Sequence, residues 1–468
     1  MTQARLAFPP TGVVPAIGTI LTRHDPPSLC NPTGDRITMS ALAHRTPTLR
    51  VLAVILGLAT PGASVAVAQS VTIAANHPNV VSFWNDVANR TILAQIPTAT
   101  TPEERVPAFP HDLASVHLAI YDAVVAIEGR YRPFAVRPTA PAAGASTDAA
   151  VSAAAHGVLR ALFPNRSAVY QPAYDQRMAA IPEGTAKTAG VALGSEVAAG
   201  IVRLRANDGR SVALQPYVSG TAPGQFRAAN PNPIFRHFPA IRPFAVNSLD
   251  QFRAPPPPAL TSAAYAAAFN EVRALGGAAS TTRTAEQLEI ARFHTEPPPT
   301  FLTRNLGRLA ASTPDVADAA RLMAMVTVSF ADAIGTCFET KYHYATWRPQ
   351  TAIPLAADDG NDATQADAAW TPVLPTPNHP EYPAAHSCTS SPLGQALRHV
   401  YGTPDVTFTL DSRVTGTTRS YVGTDAFNQE NRIARIAGGM HFPFSAVAGE
   451  QIGQRVADWV AARHFQRQ

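Results

Sequence analysis

Charge, cysteine and long apolar runs are all scarce in this 468-residue sequence. Only 15% of the residues are charged, the formal net charge is +4, and no tract rich in lysine or arginine occurs. A protein that binds nucleic acid usually carries a basic patch or stripe, so we expect no nucleic-acid partner. The hydrophobic content of 46% is nevertheless enough for a large core.

A short apolar run near the N-terminus has the pattern of an export signal. Arg45 and Arg50 precede the run Val51–Ala59, and the small residues 66–68 follow it. The run is too short to span a bilayer, and this order of basic, apolar and small residues is typical of a secretory signal peptide. A buried or interfacial helix is the alternative interpretation.

The signal pattern divides the chain into three parts. We expect residues 1–38 to be a non-native or disordered upstream extension, residues 39–68 to be the signal peptide, and residues 69–468 to form a single helical catalytic domain. The mature chain would be periplasmic or secreted. No second apolar run in it predicts a stable membrane span.

The spacing of apolar residues predicts an all-α fold, a helical bundle with long surface loops. Asp112 is placed to cap a helix that ends before Gly129, and Thr313 to cap a helix that continues to Pro349. We identify no internal repeat. Further elements are predicted as helices at 147–162, 186–205, 262–276 and around 452–460, a strand at 406–410, and proline-rich connections at 254–260 and 295–300.

Two cations stand in an otherwise aromatic and apolar stretch, "KYHYATWRP" at 341–349. On a helix, seven residues make about two turns, so Lys341 and Arg348 would leave the same face about 10 Å apart. Their long side chains can then lean toward a shared anion. The alternatives are a solvated basic stripe, or ion pairs with distant acids.

A second cluster, "PNHPEYPAAHSC" at 377–388, contains small residues that lead into His386. Small residues let backbone N–H groups approach a ligand closely, and a histidine can give and take a proton near neutral pH. The alternative is a metal site formed by His379, Glu381 and His386, although their spacing matches none of the usual zinc patterns.

A third cluster, "RIAGGMHFPFS" at 435–445, places Arg435 six residues before His441. Gly438 and Gly439 between them allow the backbone to turn or to pack closely. His441 can attack or coordinate through one ring nitrogen if the other is hydrogen-bonded. A lone histidine in an apolar stretch is otherwise usually a core residue whose hydrogen bonds are satisfied.

In this order and spacing, the three clusters resemble the signature shared by vanadium-dependent haloperoxidases and type-2 phosphatidic acid phosphatases, with the bacterial non-specific acid phosphatases among their relatives. The flanking segments "WRPQTAI", "HPEYPAAHS" and "GGMHFPFSAVAGEQIG" resemble the bacterial haloperoxidase-like branch. The motif-bearing part covers about 330–465. The signature is Lys-x6-Arg-Pro, Pro-Ser-Gly-His and Arg-x5-His, and it stands here as Lys341…Arg348-Pro349, Pro383-Ala384-Ala385-His386 and Arg435…His441.

The resemblance implies roles for these residues. As a haloperoxidase, the enzyme would use a vanadate cofactor and hydrogen peroxide to oxidise halide, which then reacts with an organic acceptor. As an acid phosphatase, it would hydrolyse a phosphomonoester or lipid phosphate with no cofactor. A non-catalytic oxyanion-binding protein is the third alternative. The implied roles are anion binding for Lys341, Arg348, Arg435 and the N–H of Ala385, bonding to vanadium or nucleophilic attack on phosphorus for His441, and acid/base catalysis for His386.

The sequence departs from the family pattern at three positions. The family serine is Ala384, which removes one hydroxyl donor to the anion, a loss of about 1.5–3 kcal/mol. The family glycine is Ala385, whose N–H remains available. An aspartate that often follows the last histidine by four residues is Ser445, which we expect to cap the terminal helix or to orient His441.

Two further pairs of residues lie beside the motifs. If the first two motifs face one anion, Cys337 and Cys388 lie close enough to form a disulfide, with two buried thiols as the alternative. A disulfide that closes a loop of about 50 residues would add about 4 kcal/mol of stability. Trp347 and Phe442 can shape a halide pocket, or simply pack in the core.

Overall fold

The computed structural model describes residues 71–72, 79–95 and 108–468. The predicted upstream extension and signal peptide lie outside the described residues. The α-helices of the described part are α1 Val80–Gln95, α2 Phe109–Glu128, α3 Thr147–Leu162, α4 Ser167–Ala179, α5 Thr185–Leu204, α6 Ala263–Gly276, α7 Ala285–Phe293, α8 Pro298–Ala311, α9 Val316–Tyr344, α10 Pro349–Ala352, α11 Ala385–Tyr401, α12 Thr424–Ala437 and α13 Pro443–Arg463. The strands are β1 Val71–Thr72, β2 Val406–Asp411 and β3 Thr418–Val422.

This architecture confirms the predicted all-α fold. The helices predicted at 147–162, 186–205 and 262–276 are α3, α5 and α6, and the predicted terminal helix is α13. The predicted strand is β2, which pairs in parallel with β1 and antiparallel with β3. The segment 295–300 is wrong as a loop throughout, because α8 begins at Pro298, where the fixed φ of proline suits a first helical turn.

At α2 the predicted C-terminal cap is present, but the predicted N-terminal cap is not. Gly129 follows the helix in the left-handed conformation at φ 70°, as predicted, and its N–H donates to the carbonyl of Val125. The N-cap residue is Ala108 rather than the predicted Asp112. Asp112 lies instead in the first turn, where its carboxylate faces the positive end of the helix dipole.

Helix α9 is the central element of the fold. Asp315 caps it by accepting a hydrogen bond from Asp318 N at 2.9 Å, so the helix begins later than the predicted cap Thr313. It ends at Tyr344, before the predicted stop at Pro349, because Ala345 adopts a left-handed conformation at φ 46° and ψ 52°. By length and composition α9 resembles a membrane span, but 94% of its apolar window is buried inside the protein.

Burial of α9 follows from its neighbours on both sides. Helix α2 packs against it from the first half of the chain, and α11 and α13 pack against it from the second half. Pairs α3 with α5 and α11 with α13 complete the two flanks. The core helix therefore holds the start of the first motif rigidly between the two halves of the fold.

An identical pentapeptide, Arg-Pro-Phe-Ala-Val, occurs at 132–136 and at 242–246. Asp122 of α2 accepts hydrogen bonds from the first copy, from the N–H groups of residues 134–136 at 2.6, 3.0 and 2.8 Å. Asp332 of α9 does the same for the second copy, residues 244–246, at 2.7, 2.7 and 3.0 Å. Each of these two helices therefore uses one aspartate to hold a copy of the pentapeptide: α2 holds the loop that follows it, and α9 holds a loop that precedes it in the chain.

Candidate functional site

The first motif does not lie on one helix. Lys341 is in the last turn of α9, whereas Arg348 lies beyond the helix as the N-cap residue of α10. The prediction that both side chains leave one helical face is therefore wrong. They converge all the same, because both bind carbonyl groups of the segment before the second motif.

Backbone carbonyl groups hold the two buried cations in place. Lys341 Nζ donates to the carbonyl oxygens of Pro380 and Glu381, both at 2.8 Å. Arg348 Nε donates to the carbonyl oxygen of His379 at 2.9 Å, and Arg348 Nη2 lies 3.0 Å from the His379 Nδ1. Carbonyl dipoles orient the cations without cancelling their charge, so both remain able to attract an anion.

Arg348 also reaches the third motif. Its Nη1 donates to the carbonyl oxygen of Met440 and to His441 Nε2, both at 2.9 Å. A guanidinium can only donate, so Nε2 of His441 must carry the lone pair. The proton then sits on Nδ1, which lies 3.0 Å from Glu381 Oε1. This tautomer places the lone pair of His441 on Nε2, the nitrogen that would act as a ligand or a nucleophile when an anion takes over the Arg348 donor.

Glu381 is the functional residue whose role was missed. Its Oε1 accepts hydrogen bonds from His441 Nδ1 at 3.0 Å and from the N–H of Phe442 at 2.9 Å. Burial raises the pKa of Glu381 to about 7, although Lys341 and Arg348 oppose the rise. The sequence offered one signal, since Glu381 stands in "HPEYP" beside the second motif, but nothing there links it to a histidine 60 residues later.

Arg435 completes the cation cluster from the last turn of α12. Its Nη2 lies 2.8 Å from Met440 Sδ. Its Nε and Nη1 are buried and make no hydrogen bond to any residue that the structure describes. Gly439, in the left-handed conformation at φ 74°, makes the turn that follows, and a Cβ there would stand 2.4 Å from the carbonyl oxygen of Gly276. The predicted close approach of this glycine pair is thus present.

The second motif forms the start of α11. Ala385 is its first helical residue, and in a helix the first N–H groups have no partner within the helix itself. His386 follows, and its Nε2 is buried without a hydrogen-bond partner among the described residues. Burial lowers the pKa of His386 well below its ordinary value, and the charges of Arg435, Arg348 and Lys341 lower it further. His386 is therefore a neutral imidazole in the free protein.

Two of the three departures from the family pattern, Ala384 and Ser445, have different consequences. Ala384 is the N-cap residue of α11, and its side chain supplies no cap hydrogen bond. Ser445 neither caps α13, whose N-cap residue is Phe442, nor hydrogen-bonds to His441. Its hydroxyl donates to the carbonyl oxygen of Glu381 at 3.3 Å, so the predicted cap is wrong and Glu381 orients His441 instead.

A disulfide joins Cys337 and Cys388, with their Cα atoms 6.3 Å apart. Cys337 lies one turn before Lys341 on α9, and Cys388 lies two residues after His386 on α11. The bond therefore ties the helix that carries the lysine to the helix that carries the histidine.

Trp347 and Phe442 belong to a small apolar cluster that also contains Tyr265 and Ile353. Both line a cavity of about 30 Å³ that reaches Glu381. Core packing accounts for their positions, and a halide-binding role for the pair stays a prediction.

The charges of the site do not balance. Lys341, Arg348 and Arg435 are all buried, and Glu381 is the one carboxylate in the described part whose charge acts on Lys341 or Arg348. Burial lowers the pKa of Lys341 well below its ordinary value, with Arg348 adding to the effect. Burial also lowers the pKa of Arg348 to about 10 and that of Arg435 to about 9. A bound oxyanion would compensate this excess of buried positive charge.

The alternative zinc site is not formed. The described residues contain no group of three or more His, Cys, Asp or Glu side chains arranged to hold a metal ion. His379 contacts Arg348 and Glu381 contacts His441, so neither joins His386 around a common point. The donor set suits an anion rather than a bare cation.

Comparisons with known proteins agree with this geometry. Residues 321–468 match a family described as the VCPO second helical-bundle domain. No curated protein matches the chain. A solved structure of a bacterial vanadium-dependent iodoperoxidase is 22% identical with a TM-score of 0.66, and the match covers 83% of this chain and 97% of that one.

Two structures of bacterial vanadium-dependent chloroperoxidase are also similar. The apo form is 15% identical with a TM-score of 0.56, covering 78% of this chain and 95% of that one. The holo form is 16% identical with a TM-score of 0.56, covering 80% of this chain and 97% of that one. At these identities the likeness concerns the fold. Together with the family match of residues 321–468, this likeness in fold confirms the predicted resemblance to the bacterial haloperoxidase-like branch.

Proposed function

We propose that this protein is a haloperoxidase-like enzyme, because residues 321–468 match the VCPO second helical-bundle domain family and the chain has the fold of bacterial vanadium haloperoxidases. It would oxidise halide with hydrogen peroxide at a histidine-bound vanadate. The observation that carries the proposal is Arg435, a buried guanidinium beside Lys341 and Arg348 whose Nε and Nη1 have no hydrogen-bond partner among the described residues. Such donors need an anion.

The residues of the site fit vanadate. Lys341, Arg348 and Arg435 would hold its oxygens through charge-assisted hydrogen bonds, with the N–H of Ala385 as a further donor. His441 would hold the vanadium through Nε2, the nitrogen that carries the lone pair. Bound vanadate supplies a Lewis-acidic centre that activates hydrogen peroxide toward halide without a change in oxidation state.

Glu381 and His386 would handle the protons. Glu381 holds the Nδ1 proton of His441 and so keeps the imidazole in the tautomer that can bind. His386 starts as a neutral imidazole whose Nε2 has no hydrogen-bond partner in the part of the chain that the structure describes, so it can accept a proton and return it. Halide oxidation by peroxide consumes one proton per turnover, and His386 would deliver it.

Phosphatase activity is the runner-up, since the lone pair on His441 Nε2 suits a nucleophile as well as a ligand. A purified sample separates the alternatives. We expect halide oxidation that needs added vanadate and peroxide. Hydrolysis of p-nitrophenyl phosphate, inhibited by vanadate, with no halide oxidation would establish the phosphatase instead. Vanadate binding with neither activity would leave an oxyanion-binding protein.

Two histidine variants test the assigned roles. We expect His441→Ala to lose stable vanadate binding, and His386→Ala to bind vanadate but lose turnover, by about 10²–10⁴-fold. Vanadate affinity by isothermal calorimetry and initial rates measure the two effects. The control is His117→Ala, which removes another buried histidine, one that is bonded to Asn85 in the first half of the chain. Full activity in either site variant would contradict the roles.

The disulfide and the N-terminal pattern also support export of the mature chain. An oxidising compartment is where a disulfide persists, and the predicted signal peptide would direct the protein there. Detection of the processed protein outside the cytoplasm, beginning near residue 69, is the expected result. A full-length, reduced cytoplasmic product would contradict it.

A further inference from the structure

A small cavity lies behind His386. It has a volume of about 20 Å³, and a water molecule needs only about 10–15 Å³. His386 and His294 both line it, and its other polar walls include Thr389 and Asn431. Phe301 and Phe427 supply apolar surface. The cavity therefore has room for one water between two imidazoles, and polar partners to hold it.

His294 is held by a carboxylate. It follows α7, is buried, and its Nε2 lies 3.0 Å from Glu430 Oε1 on α12. Glu430 also accepts hydrogen bonds from Tyr421 OH at 2.6 Å and from Arg419 Nε at 2.8 Å. These bonds, which outweigh burial, keep the pKa of Glu430 below its ordinary value. An ionised Glu430 fixes the proton of His294 on Nε2 and leaves Nδ1 as an acceptor.

The surroundings of the two histidines are charged on several sides. Arg435 of α12, Lys341 of α9 and Arg348 before α10 act on His386. Arg435 and Arg419 act on His294 against Glu430. Burial lowers the pKa of both histidines, so both are neutral in the free protein. A proton that arrives on one can therefore be passed to the other rather than trapped.

Glu296 also lines the cavity, but its carboxylate is engaged. Arg304 donates to it through Nη1 at 2.6 Å and Nη2 at 2.9 Å, and the N–H of Arg413 donates at 2.9 Å. Glu430 differs from Glu296 because it is hydrogen-bonded directly to the imidazole ring of His294. Its side chain is 14% exposed, against 2% for that of His294, so it is the end of the pair that reaches solvent.

We infer that His294 and Glu430 form a proton relay that serves His386, an inference that rests on the proposed function. Delivery starts from the loaded state, in which Glu430 has taken one proton from solvent and the ring proton of His294 has moved to Nδ1. His294 releases the Nδ1 proton to the water in the cavity, that water protonates His386, and Nε2 of His294 takes the proton of Glu430. The pair returns to ionised Glu430 with the ring proton on Nε2, the state that the hydrogen bonds of the free protein favour. No electrons move, and one proton is delivered per passage. His294 and Glu430 are thus positioning and relay residues, and of the three only His386 meets the reacting atoms.

Histidine NMR tests the relay without any cofactor. In vanadate-free protein labelled with ¹⁵N-histidine, we expect His294→Gln and Glu430→Gln to change the pKa and proton-exchange rate of the His386 ring. Glu450→Gln is the matched control, because Glu450 is also 14% exposed and pairs with an arginine, Arg432, but does not touch His294. An unchanged His386 signal in both relay variants would overturn the inference.

Kinetics supply the second readout. We expect His294→Gly to lower kcat about ten-fold above pH 6.5, where protons are scarce, with vanadate affinity changed less than two-fold. Imidazole in the buffer should enter the enlarged cavity and restore the rate. A loss of rate that imidazole does not restore, and that is equal at all pH values, would indicate a structural role and overturn the relay. Absence of halide oxidation in the unmodified protein would contradict the proposed function alone, since the NMR result stands without it.

Discussion

Two buried charge clusters, one in each half of the chain, contain four charged groups each. The first joins Arg205 and Arg210 to Asp208, and Arg210 to Asp112, at distances from 2.8 to 3.2 Å. It has as many carboxylates as guanidinium groups. The second, the site cluster, has Lys341, Arg348 and Arg435 against the single carboxylate of Glu381.

The difference separates a structural cluster from a binding site. In the first cluster Asp112 and Asp208 outweigh burial and raise the pKa of Arg210, whereas burial lowers the pKa of Arg205 to about 10 even with Asp208 beside it. Both guanidinium groups nevertheless pair with a carboxylate, so their charge is compensated within the fold. In the site cluster burial lowers the pKa of every cation, and two nitrogens of Arg435, Nε and Nη1, have no hydrogen-bond partner among the described residues. Burial of charged groups alone therefore does not indicate a functional site. An excess of buried positive charge, which a bound anion would neutralise, does indicate one.

We expect the largest effect on stability from a variant that removes one charge of the first, balanced cluster. Arg210→Met leaves Asp112 and Asp208 without their shared partner, so we expect a loss of about 3–5 kcal/mol in the free energy of unfolding. Oxyanion affinity of the remaining folded protein should not change, because the first cluster is separate from the site. Urea unfolding and calorimetric titration with vanadate measure both. A stable variant would mean that the pairs contribute little.

The matched change in the site cluster should have the opposite signature. Arg435→Met removes a cation that lacks a carboxylate partner, so we expect stability without oxyanion to stay within about 1 kcal/mol or to rise. Vanadate affinity should fall at least about 100-fold, since hydrogen bonds to charged groups contribute about 1.5–3 kcal/mol each. Destabilisation equal to that of Arg210→Met would show that Arg435 is structural.

Local sequence carried the identity of the site residues but not their geometry. Lys341 and Arg348 were expected to meet because of helical periodicity, and that reason was wrong, since α9 ends between them at a left-handed alanine. They meet because the carbonyl groups of residues 379–381 accept from both. Carbonyl oxygens have no side-chain identity, so no residue pattern reveals which of them will bind a cation.

Contacts between residues far apart in the sequence could not be predicted. The helices of the fold followed from apolar spacing, and capping residues were misplaced by a few positions, as with Thr313 and Ser445. Glu381 and His441 are 60 residues apart, so their contact depends on how α11 and α13 pack. The repeated pentapeptide was visible in the sequence, but its meaning required seeing one buried aspartate bind each copy.

A variant that binds vanadate more tightly would test the site cluster in the opposite direction. Ala384 begins the turn that leads into Ala385 and His386, and it is buried. Ala384→Ser should add one hydroxyl donor to an already unbalanced cation cluster, and we expect vanadate to bind about ten-fold more tightly. Ala448→Ser, a buried position on α13 outside the motifs, is the control for adding a hydroxyl. Equal affinity in Ala384→Ser and the unmodified protein would place the anion away from α11.

The smallest expected effect concerns a histidine of the structural half. Burial lowers the pKa of His117 to about 3, and its Nε2 is bonded to Asn85, a neutral partner. Below its ordinary pKa of about 6.5 the unfolded chain takes up a proton that the folded chain refuses, so the stability that His117 provides is present above pH 6.5 and is lost as the pH falls. Between pH 7 and 5.5 the loss should be about 1 kcal/mol, with or without oxyanion. His117→Gln should remove that portion of the slope, and a slope that instead depends on added vanadate would assign the titration to the site histidines.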